Sequence, residues 1–176
     1  WFCKIENKLF RYQILSRGDW RMRIFQNVCQ SIVDIFAVLK VKQMNKIKHI
    51  GIAVKDLQAS NLLFEKLFGA PAYKEEEVAS EGVKTSFFQN GPNKIELLEA
   101  TNSESPIAKF IEKKGEGIHH IAFDVTDIVA EIARLEKEGF VVLNSVPKKG
   151  ADNKLVAFLH PKSTNGVLIE LCQEII

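Results

Sequence analysis

Hydrophobic and polar positions along residues 44–176 alternate in short runs, and these runs predict the same order of elements twice. Each half of this region begins with a strand, continues with a helix and ends with three strands. The predicted strands lie at 48–54, 72–78, 83–89 and 94–99 in the first half, and at 120–125, 140–146, 155–160 and 167–172 in the second. The pattern therefore predicts an α+β domain made of two tandem βαβββ modules, at about 46–100 and 117–174.

The predicted helices carry start and stop signals. Asp56 is suited to cap the first helix, which Gly69 ends, and the second module repeats this plan with a helix at 127–138. A third helix is predicted at about 105–114, because Ser105 is followed by a proline at the first helical position and a glycine stands just beyond the end. This helix would link the two modules.

The two modules also match each other residue by residue. Residues 47–57, with the sequence IKHIGIAVKDL, align without a gap on residues 118–128, with the sequence IHHIAFDVTDI. His49 falls on His120 in this alignment. On both strands the histidine shares its face with small residues, and the opposite face carries large apolar residues suited to pack against a helix. The residue before the second histidine, His119, is predicted to face the other side of its strand and to be no ligand.

Each module ends on an apolar strand that holds one carboxylate, Glu96 in the first and Glu170 in the second. A carboxylate on a core strand is unfavourable unless a cation or hydrogen-bond donors compensate it. Two imidazoles and two carboxylates suit a divalent first-row metal and leave two positions of an octahedron open. The repeat therefore predicts one shared metal site formed by His49, Glu96, His120 and Glu170, which would accept Co, Mn, Ni or Zn.

Other polar residues are weaker candidates for a catalytic or binding role. His160 closes a predicted strand, where it would either touch a substrate or cap a turn. Lys148, Lys149 and Lys162 would either meet phosphates or remain solvated surface. The sequence contains no phosphate-binding glycine-rich motif and no nucleophile elbow.

Charge separates the first 43 residues from the rest. Residues 1–43 carry eight Lys/Arg against three Asp/Glu, whereas residues 44–176 carry 16 against 19, so nucleic acid is not expected as a partner. Residues 1–43 are predicted to be an extension outside the core, with Met44 as the natural start; the alternative is a surface-packed amphipathic helix at about 26–40. Three cysteines without a paired framework indicate a reducing compartment, and no apolar run has transmembrane length. We therefore expect a cytoplasmic location and no membrane partner.

Three segments make the chain resemble a known superfamily. HIGIAVKDL, SPIAKFIEKKGEGIHHIAFDV and AFLHPKSTNGVLIEL resemble the vicinal oxygen chelate, or glyoxalase-like, superfamily and, within it, the methylmalonyl-CoA epimerases. The resemblance runs from about residue 46 to 174. It implies a cupped mixed sheet, a homodimer, and a metal held by His49, Glu96, His120 and Glu170.

The resemblance also implies a reaction. Such enzymes interconvert (2R)- and (2S)-methylmalonyl-CoA by moving the proton at C2 through a metal-stabilised enolate. Glu170 is then one catalytic base. The carboxylate that serves as its partner in some members falls at Thr85, so the second base stays open between Glu81, a water and another residue.

Three alternatives share the same fold. A glyoxalase I-like lactoylglutathione lyase would use the same metal ligands and also move a proton beside a carbonyl, but on a glutathione hemithioacetal. An extradiol dioxygenase would need three ligands, and Glu96 as a fourth argues against it. A non-catalytic ligand-binding member of the fold would usually lack the ligand set, whereas all four ligand types are present here.

Overall fold

The computed structural model describes residues 2–5, 8–11 and 44–175 of the chain. The chain divides into two compact units, Trp1–Val41 and Lys42–Ile176. In the first unit the described backbone forms two paired antiparallel strands, β1 (Phe2–Ile5) and β2 (Lys8–Arg11). The helix predicted at 26–40 lies outside the described residues.

Eight strands of residues 44–175 form one sheet, and three α-helices accompany it. The strands are β3 (Ile47–Ala53), β4 (Lys74–Val78), β5 (Val83–Asn90), β6 (Asn93–Ala100), β7 (Gly117–Asp124), β8 (Lys148–Lys149), β9 (Lys154–Leu159) and β10 (Leu168–Glu174). The helices are α1 (Leu57–Phe68), α2 (Pro106–Lys114) and α3 (Ile128–Lys137). The strand order is β4-β5-β6-β3-β7-β10-β9-β8, with β3–β6 and β7–β10 parallel and the other neighbours antiparallel. This mixed, curled sheet confirms the predicted α+β class.

The helix starts follow the predicted capping residues. The Asp56 carboxylate accepts the backbone N–H of Ala59, and Asp127 accepts that of Ala130 at the start of α3. The hydroxyl oxygen of Ser105 accepts the N–H of Ile107 at the start of α2. Each cap satisfies one of the backbone donors that the first turn of a helix leaves without a partner.

The strand predicted at 140–146 is wrong. This segment makes only an isolated bridge between Val142 and Leu159 before the short β8 begins. The side chain of Asn144 explains the interruption: its oxygen accepts the N–H of Phe158 and its nitrogen donates to the carbonyl of Val156. A side chain therefore replaces the backbone groups that would continue the ladder.

Helices α1 and α3 pack against one face of the sheet. Leu57 of α1 lies with Phe88 and Leu97, and Ile128, Ile132 and Leu135 of α3 lie with Leu159 and Leu171. Because side chains alternate along a strand, Glu96 and Glu170 point to the opposite face. Leu62, Leu63 and Leu67 of α1 are exposed. None of the helices in the described part of the chain is long and apolar enough to cross a membrane.

The central antiparallel pair β3–β7 joins the two modules, and its register shifts twice. Lys48 is an extra residue in β3, because Ile47 and His49 pair with the adjacent residues Phe123 and Ala122. His119 is an extra residue in β7, because Gly51 and Ile52 pair with His120 and Ile118. Both shifts are β-bulges, and each bulge residue directly precedes a histidine of the predicted metal site.

Candidate metal centre

The four predicted ligand side chains converge on one point. Nε2 of His49 lies 2.9 Å from Nε2 of His120. Oε2 of Glu96 lies 3.1 Å from Nε2 of His49, and Oε2 of Glu170 lies 3.0 Å from Nε2 of His120. All four residues are buried. We call this group the His–Glu cluster.

The distances in the His–Glu cluster follow the repeat in the sequence. Within a module the imidazole and carboxylate are 3.1 and 3.0 Å apart, whereas between modules they are 3.6 and 3.5 Å apart. The two modules therefore present their ligand pairs with approximate twofold symmetry. This arrangement arises because β3 and β7 run antiparallel at the centre of the sheet, each beside the parallel strand that carries its own glutamate.

The spacing of the donor atoms fits a single ion. Two neighbouring ligands bonded at about 2.1 Å and at a right angle lie about 3 Å apart. The donor atoms of His49, Glu96 and His120 all lie within 4.8 Å of one another, as do those of His49, Glu170 and Cys172. Imidazole nitrogen with carboxylate oxygen is a donor set for a divalent first-row metal. The His–Glu cluster is thus able to hold such an ion.

The charges in the cluster point the same way. Burial alone would lower the pKa of His49, but the Glu96 and Glu170 carboxylates outweigh it and raise the pKa to about 10. Burial also opposes the charge on His120, and Glu170 and Glu96 raise its pKa. In return the two imidazoles overcome the effect of burial, lower the pKa of Glu170 to about 2 and hold that of Glu96 well below its usual range. The two buried carboxylates therefore favour positive charge at the point where the imidazoles meet, and a bound cation would supply such charge.

Thr85 stands where a second catalytic carboxylate was considered, and its position indicates a different role. The residue is fully buried, and its hydroxyl donates a hydrogen bond of 2.9 Å to Oε1 of Glu96. Oε2 of Glu96 is the oxygen that faces the histidines. Thr85 therefore orients the carboxylate of Glu96.

Gly51 makes room for one of the histidines. It pairs with His120 across β3 and β7, and a Cβ atom at position 51 would lie 2.2 Å from Cε1 of the His120 ring. The ring thus occupies the space that any side chain at position 51 would need. The sequence predicts a face of small residues here, but only the strand register shows which ring occupies the space.

The prediction that His119 faces away from the site is wrong. The bulge in β7 breaks the alternation, so Nδ1 of His119 lies 3.0 Å from Nδ1 of His120. The ring of Phe110 on α2 packs edge-on against His119, with centroids 5.0 Å apart. Burial first, and then the charge of His120, lower the pKa of His119 to about 4, so its ring is neutral at neutral pH.

A cavity of about 340 Å³ opens onto the His–Glu cluster. Its apolar wall comes from both modules and from α2, and includes Val83, Phe87, Leu98, Ile107, Val156 and Phe158. Lys148, Lys149, Asp152 and Lys154 line it as well. From the sequence, Lys148 and Lys149 were predicted only to meet phosphates or to stay solvated.

Ionic contacts of residues in the cavity wall join the two modules. Asp152 of the second module lies 2.6 Å from Nζ of Lys94 and 3.4 Å from Nζ of Lys74, both in the first module. Glu81, another wall residue, pairs with Lys148. His160 and Lys162 are not among the residues that line the cavity in the described part of the chain. The His160 side chain instead accepts the N–H of Lys162, which is the turn-capping role.

Comparison with known proteins places this site in a family. Residues 48–158 match the model of the Glyoxalase/Bleomycin resistance protein/Dioxygenase superfamily. The chain belongs to this superfamily. Within it, the chain is 42% identical over 132 residues to the ethylmalonyl-CoA/methylmalonyl-CoA epimerase of Cereibacter sphaeroides, covering 74% of this chain and 98% of that protein. It is 41% identical over 129 residues to the mitochondrial methylmalonyl-CoA epimerase of Dictyostelium discoideum, covering 73% and 78%.

Solved structures of superfamily members agree with these relatives. A structure of methylmalonyl-CoA epimerase in complex with methylmalonyl-CoA and NH4+ superposes with a TM-score of 0.71 at 33% identity, covering 75% of this chain and 96% of that one. The resemblance inferred from the sequence is thereby confirmed, both for the superfamily and for the epimerases within it.

Proposed function

We propose that this protein is a metal-dependent methylmalonyl-CoA epimerase, an isomerase that interconverts the (2R) and (2S) forms of its substrate. The observation that carries the proposal is the convergence of two imidazoles and two carboxylates at a cavity, in a chain whose relatives bear the epimerase name. His49, Glu96, His120 and Glu170 would hold the ion. Its identity among Co, Mn, Ni and Zn depends on supply as well as on the donor set.

The reaction needs a base, a means of stabilising negative charge, and a proton donor on the opposite face. The C2–H bond lies between a thioester and a carboxylate, and when it breaks the proton passes to a base while the electron pair moves onto the thioester oxygen. His49, Glu96, His120 and Glu170 would hold a divalent ion, and such an ion would supply Lewis-acid stabilisation of the developing negative charge, an effect of several kcal/mol. Return of a proton to the other face of C2 inverts the centre.

The approximate twofold symmetry supports a pair of bases, Glu170 and Glu96. Two groups related by a twofold axis approach a ligand on that axis from opposite sides, which is what inversion of one carbon requires. The two carboxylates stand in equivalent positions, 3.0 and 3.1 Å from the imidazole of their own module. Thr85 holds the remaining oxygen of Glu96, which leaves its Oε2 directed into the cluster.

The cavity suits the reacting end of the substrate. A volume of about 340 Å³ accommodates a branched dicarboxylic thioester, whereas the nucleotide end of coenzyme A is too large and must extend outside. The apolar wall lowers the local dielectric constant, which strengthens electrostatic interactions with the developing charge. Lys148 and Lys149 on the wall contribute positive charge to a cavity whose substrate is an anion.

The test uses a single epimer of methylmalonyl-CoA in deuterated water, with and without a chelator. The expected result is deuterium at C2 and formation of the other epimer, both lost in the chelator and restored by added Co²⁺. The glutathione hemithioacetal of methylglyoxal serves as the competing substrate. Turnover of that compound without turnover of methylmalonyl-CoA would replace this proposal by a glyoxalase I-like activity, and epimerisation in excess chelator would remove the metal from it.

A homodimer and a cytoplasmic location are further proposals; the family resemblance supports the first, and the three cysteines without a paired framework in the sequence support the second. Sedimentation of the purified chain tests the first.

A further inference from the structure

The bulge in β7 places two histidines on the same side of a strand, and only one of them belongs to the His–Glu cluster. Nδ1 of His119 lies 3.0 Å from Nδ1 of His120, while Nε2 of His120 faces Glu170. We propose that His119 is a positioning residue, whose Nδ1 accepts the Nδ1–H of His120 and so holds the His120 ring with the lone pair of Nε2 directed into the cluster. The inference rests on the metal site of the proposed function and deepens it.

The direction of this hydrogen bond follows from counting protons. A neutral imidazole carries one proton, and the nitrogen that binds a metal must carry none. If Nε2 of His120 is the metal donor, its proton is on Nδ1, and Nδ1 of His119 must be the acceptor. The proton of His119 is then on its own Nε2. Histidines that bind a metal usually donate their second N–H to a carboxylate or a carbonyl. Here the imidazole of His119 is the acceptor instead.

The bulge is the structural cause of the contact. In a regular strand His119 and His120 would project to opposite faces. An extra residue locally re-aims the side chains of the bulged strand, and bulges are frequent next to active sites for this reason.

The first module has a bulge at the equivalent position, but its bulge residue does not contact a cluster histidine through an imidazole. Its bulge residue is Lys48, which also directly precedes a cluster histidine. Lys48 forms ion pairs with Glu174 and Asp124. The two bulges therefore share a position in the repeat, but only the second puts an imidazole against a ligand.

Phe110 fixes the plane of the His119 ring. The two rings meet edge to face, with an interplanar angle of 84°. Phe110 belongs to α2, which is anchored by the buried residues Ser105 and Ile107. The hydrogen-bond acceptor is thus held by a helix on one side and by the strand on the other, as a positioning residue requires.

The experiment measures Co²⁺ affinity by chelator competition, which does not depend on epimerase activity. His119→Leu removes the acceptor and is expected to weaken Co²⁺ binding about 10- to 100-fold, the usual effect of losing a partner of a metal ligand. His119→Asn places an oxygen near the position of Nδ1 and is expected to stay within about threefold of the wild type. Lys48→Met is the matched control, since it alters the other bulge residue, and is expected to leave Co²⁺ affinity unchanged.

A spectroscopic readout separates positioning from a general loss of structure. In the Zn²⁺-loaded protein, long-range proton–nitrogen correlation is expected to show the proton of His120 on Nδ1 and that of His119 on Nε2. In His119→Leu the Nδ1–H of His120 is expected to exchange faster with solvent. Thermal unfolding of the metal-free variants measures any change in stability separately.

Each outcome decides the matter. A proton on Nδ1 of His119 in the Zn²⁺-loaded protein, unchanged Co²⁺ affinity in His119→Leu, equal loss in the Leu and Asn variants, or no Co²⁺ binding by the wild type would overturn the proposal. Co²⁺ binding that weakens as expected, in a protein that does not turn over methylmalonyl-CoA, would leave the positioning role intact and reject the epimerase function instead.

Discussion

Gly51 has no side chain, and the ring of His120 occupies the space where a Cβ atom at position 51 would lie. At the equivalent position of the second module, Ala122 pairs with His49 and does carry a Cβ atom. The geometry of the His–Glu cluster therefore depends also on residues that are not predicted metal ligands. Thr85 is a second case, because its hydroxyl selects which oxygen of Glu96 faces the histidines. The four predicted ligands could be identified from the sequence, but the supporting roles of Gly51 and Thr85 could not.

Gly51→Ala is expected to displace the His120 ring and to weaken Co²⁺ binding by more than about tenfold, an effect of at least about 1.4 kcal/mol. The reason is that the new methyl group and the ring cannot share the same space. Chelator competition measures the affinity. Ala122→Gly at the equivalent place beside His49 is the control: it is expected to lower stability by about 1 kcal/mol while Co²⁺ affinity stays the same. Tight Co²⁺ binding by Gly51→Ala would contradict the close packing described for this pair.

Glu96→Gln and Glu170→Gln are expected to give crossed exchange patterns. If each carboxylate serves one face of C2, each variant retains deuterium exchange from one epimer and loses it from the other, and neither inverts the centre. The amide oxygen still offers a metal donor, and Co²⁺ content is measured for both proteins. Loss of exchange from the same epimer in both variants would mean that the two glutamates do not act on opposite faces.

Among the elements, the strands and helices with strong periodicity were predictable. Asp56, Ser105 and Asp127 cap the predicted helices because a side-chain oxygen beside a free N–H is a local interaction. The segment 140–146 was not predictable, because its apolar alternation is that of a strand while Asn144 bonds to two residues of β9 that are distant in sequence. The bulges at Lys48 and His119 could not be predicted for the same reason, because the register is a property of two paired strands and not of one segment.

Ser105→Ala is expected to lower the free energy of unfolding by about 1 kcal/mol, because α2 loses the acceptor for its first-turn N–H. Chemical denaturation measures the change. Ser103→Ala, at an exposed position in the same loop, is expected to change stability by less than about 0.5 kcal/mol. Equal effects of the two substitutions would show that the cap contributes nothing.

In the whole domain, ionic contacts hold the second module's segment 148–154 against the first module. Asp152 is the centre of this network, since it contacts Lys74, Lys94 and Lys154. Burial alone would raise the pKa of Asp152, but the hydrogen bond from Lys94 and the charges of Lys154 and Lys94 outweigh it and lower the pKa to about 2. Asp152 and Lys154 of this network also line the cavity.

Asp152→Asn is expected to lower stability at neutral pH by roughly 1 to 2 kcal/mol, because the folded protein holds the ionised carboxyl more strongly than the unfolded chain does. A depressed folded-state pKa stabilises above the unfolded pKa of about 4 and loses its effect as the pH falls toward about 2. The stability difference between wild type and variant should therefore shrink over that interval, measured by denaturation at several pH values. Asparagine tolerates the positive φ of 53° at this position as well as aspartate does. A difference that is independent of pH would rule out the carboxyl charge as its source.

The sequence by itself determined the duplication, the helix caps, and the identity of the four side chains in the His–Glu cluster. These features are local or repeated, so periodicity and comparison of the two modules were enough to find them. Only the tertiary structure decided that His119 lies against His120, that Gly51 leaves room for a ring, that Thr85 orients Glu96 and that Asp152 ties the modules together. Each of these depends on strand register or on contacts between residues far apart in the chain, which become defined only when the two modules pack side by side in one sheet.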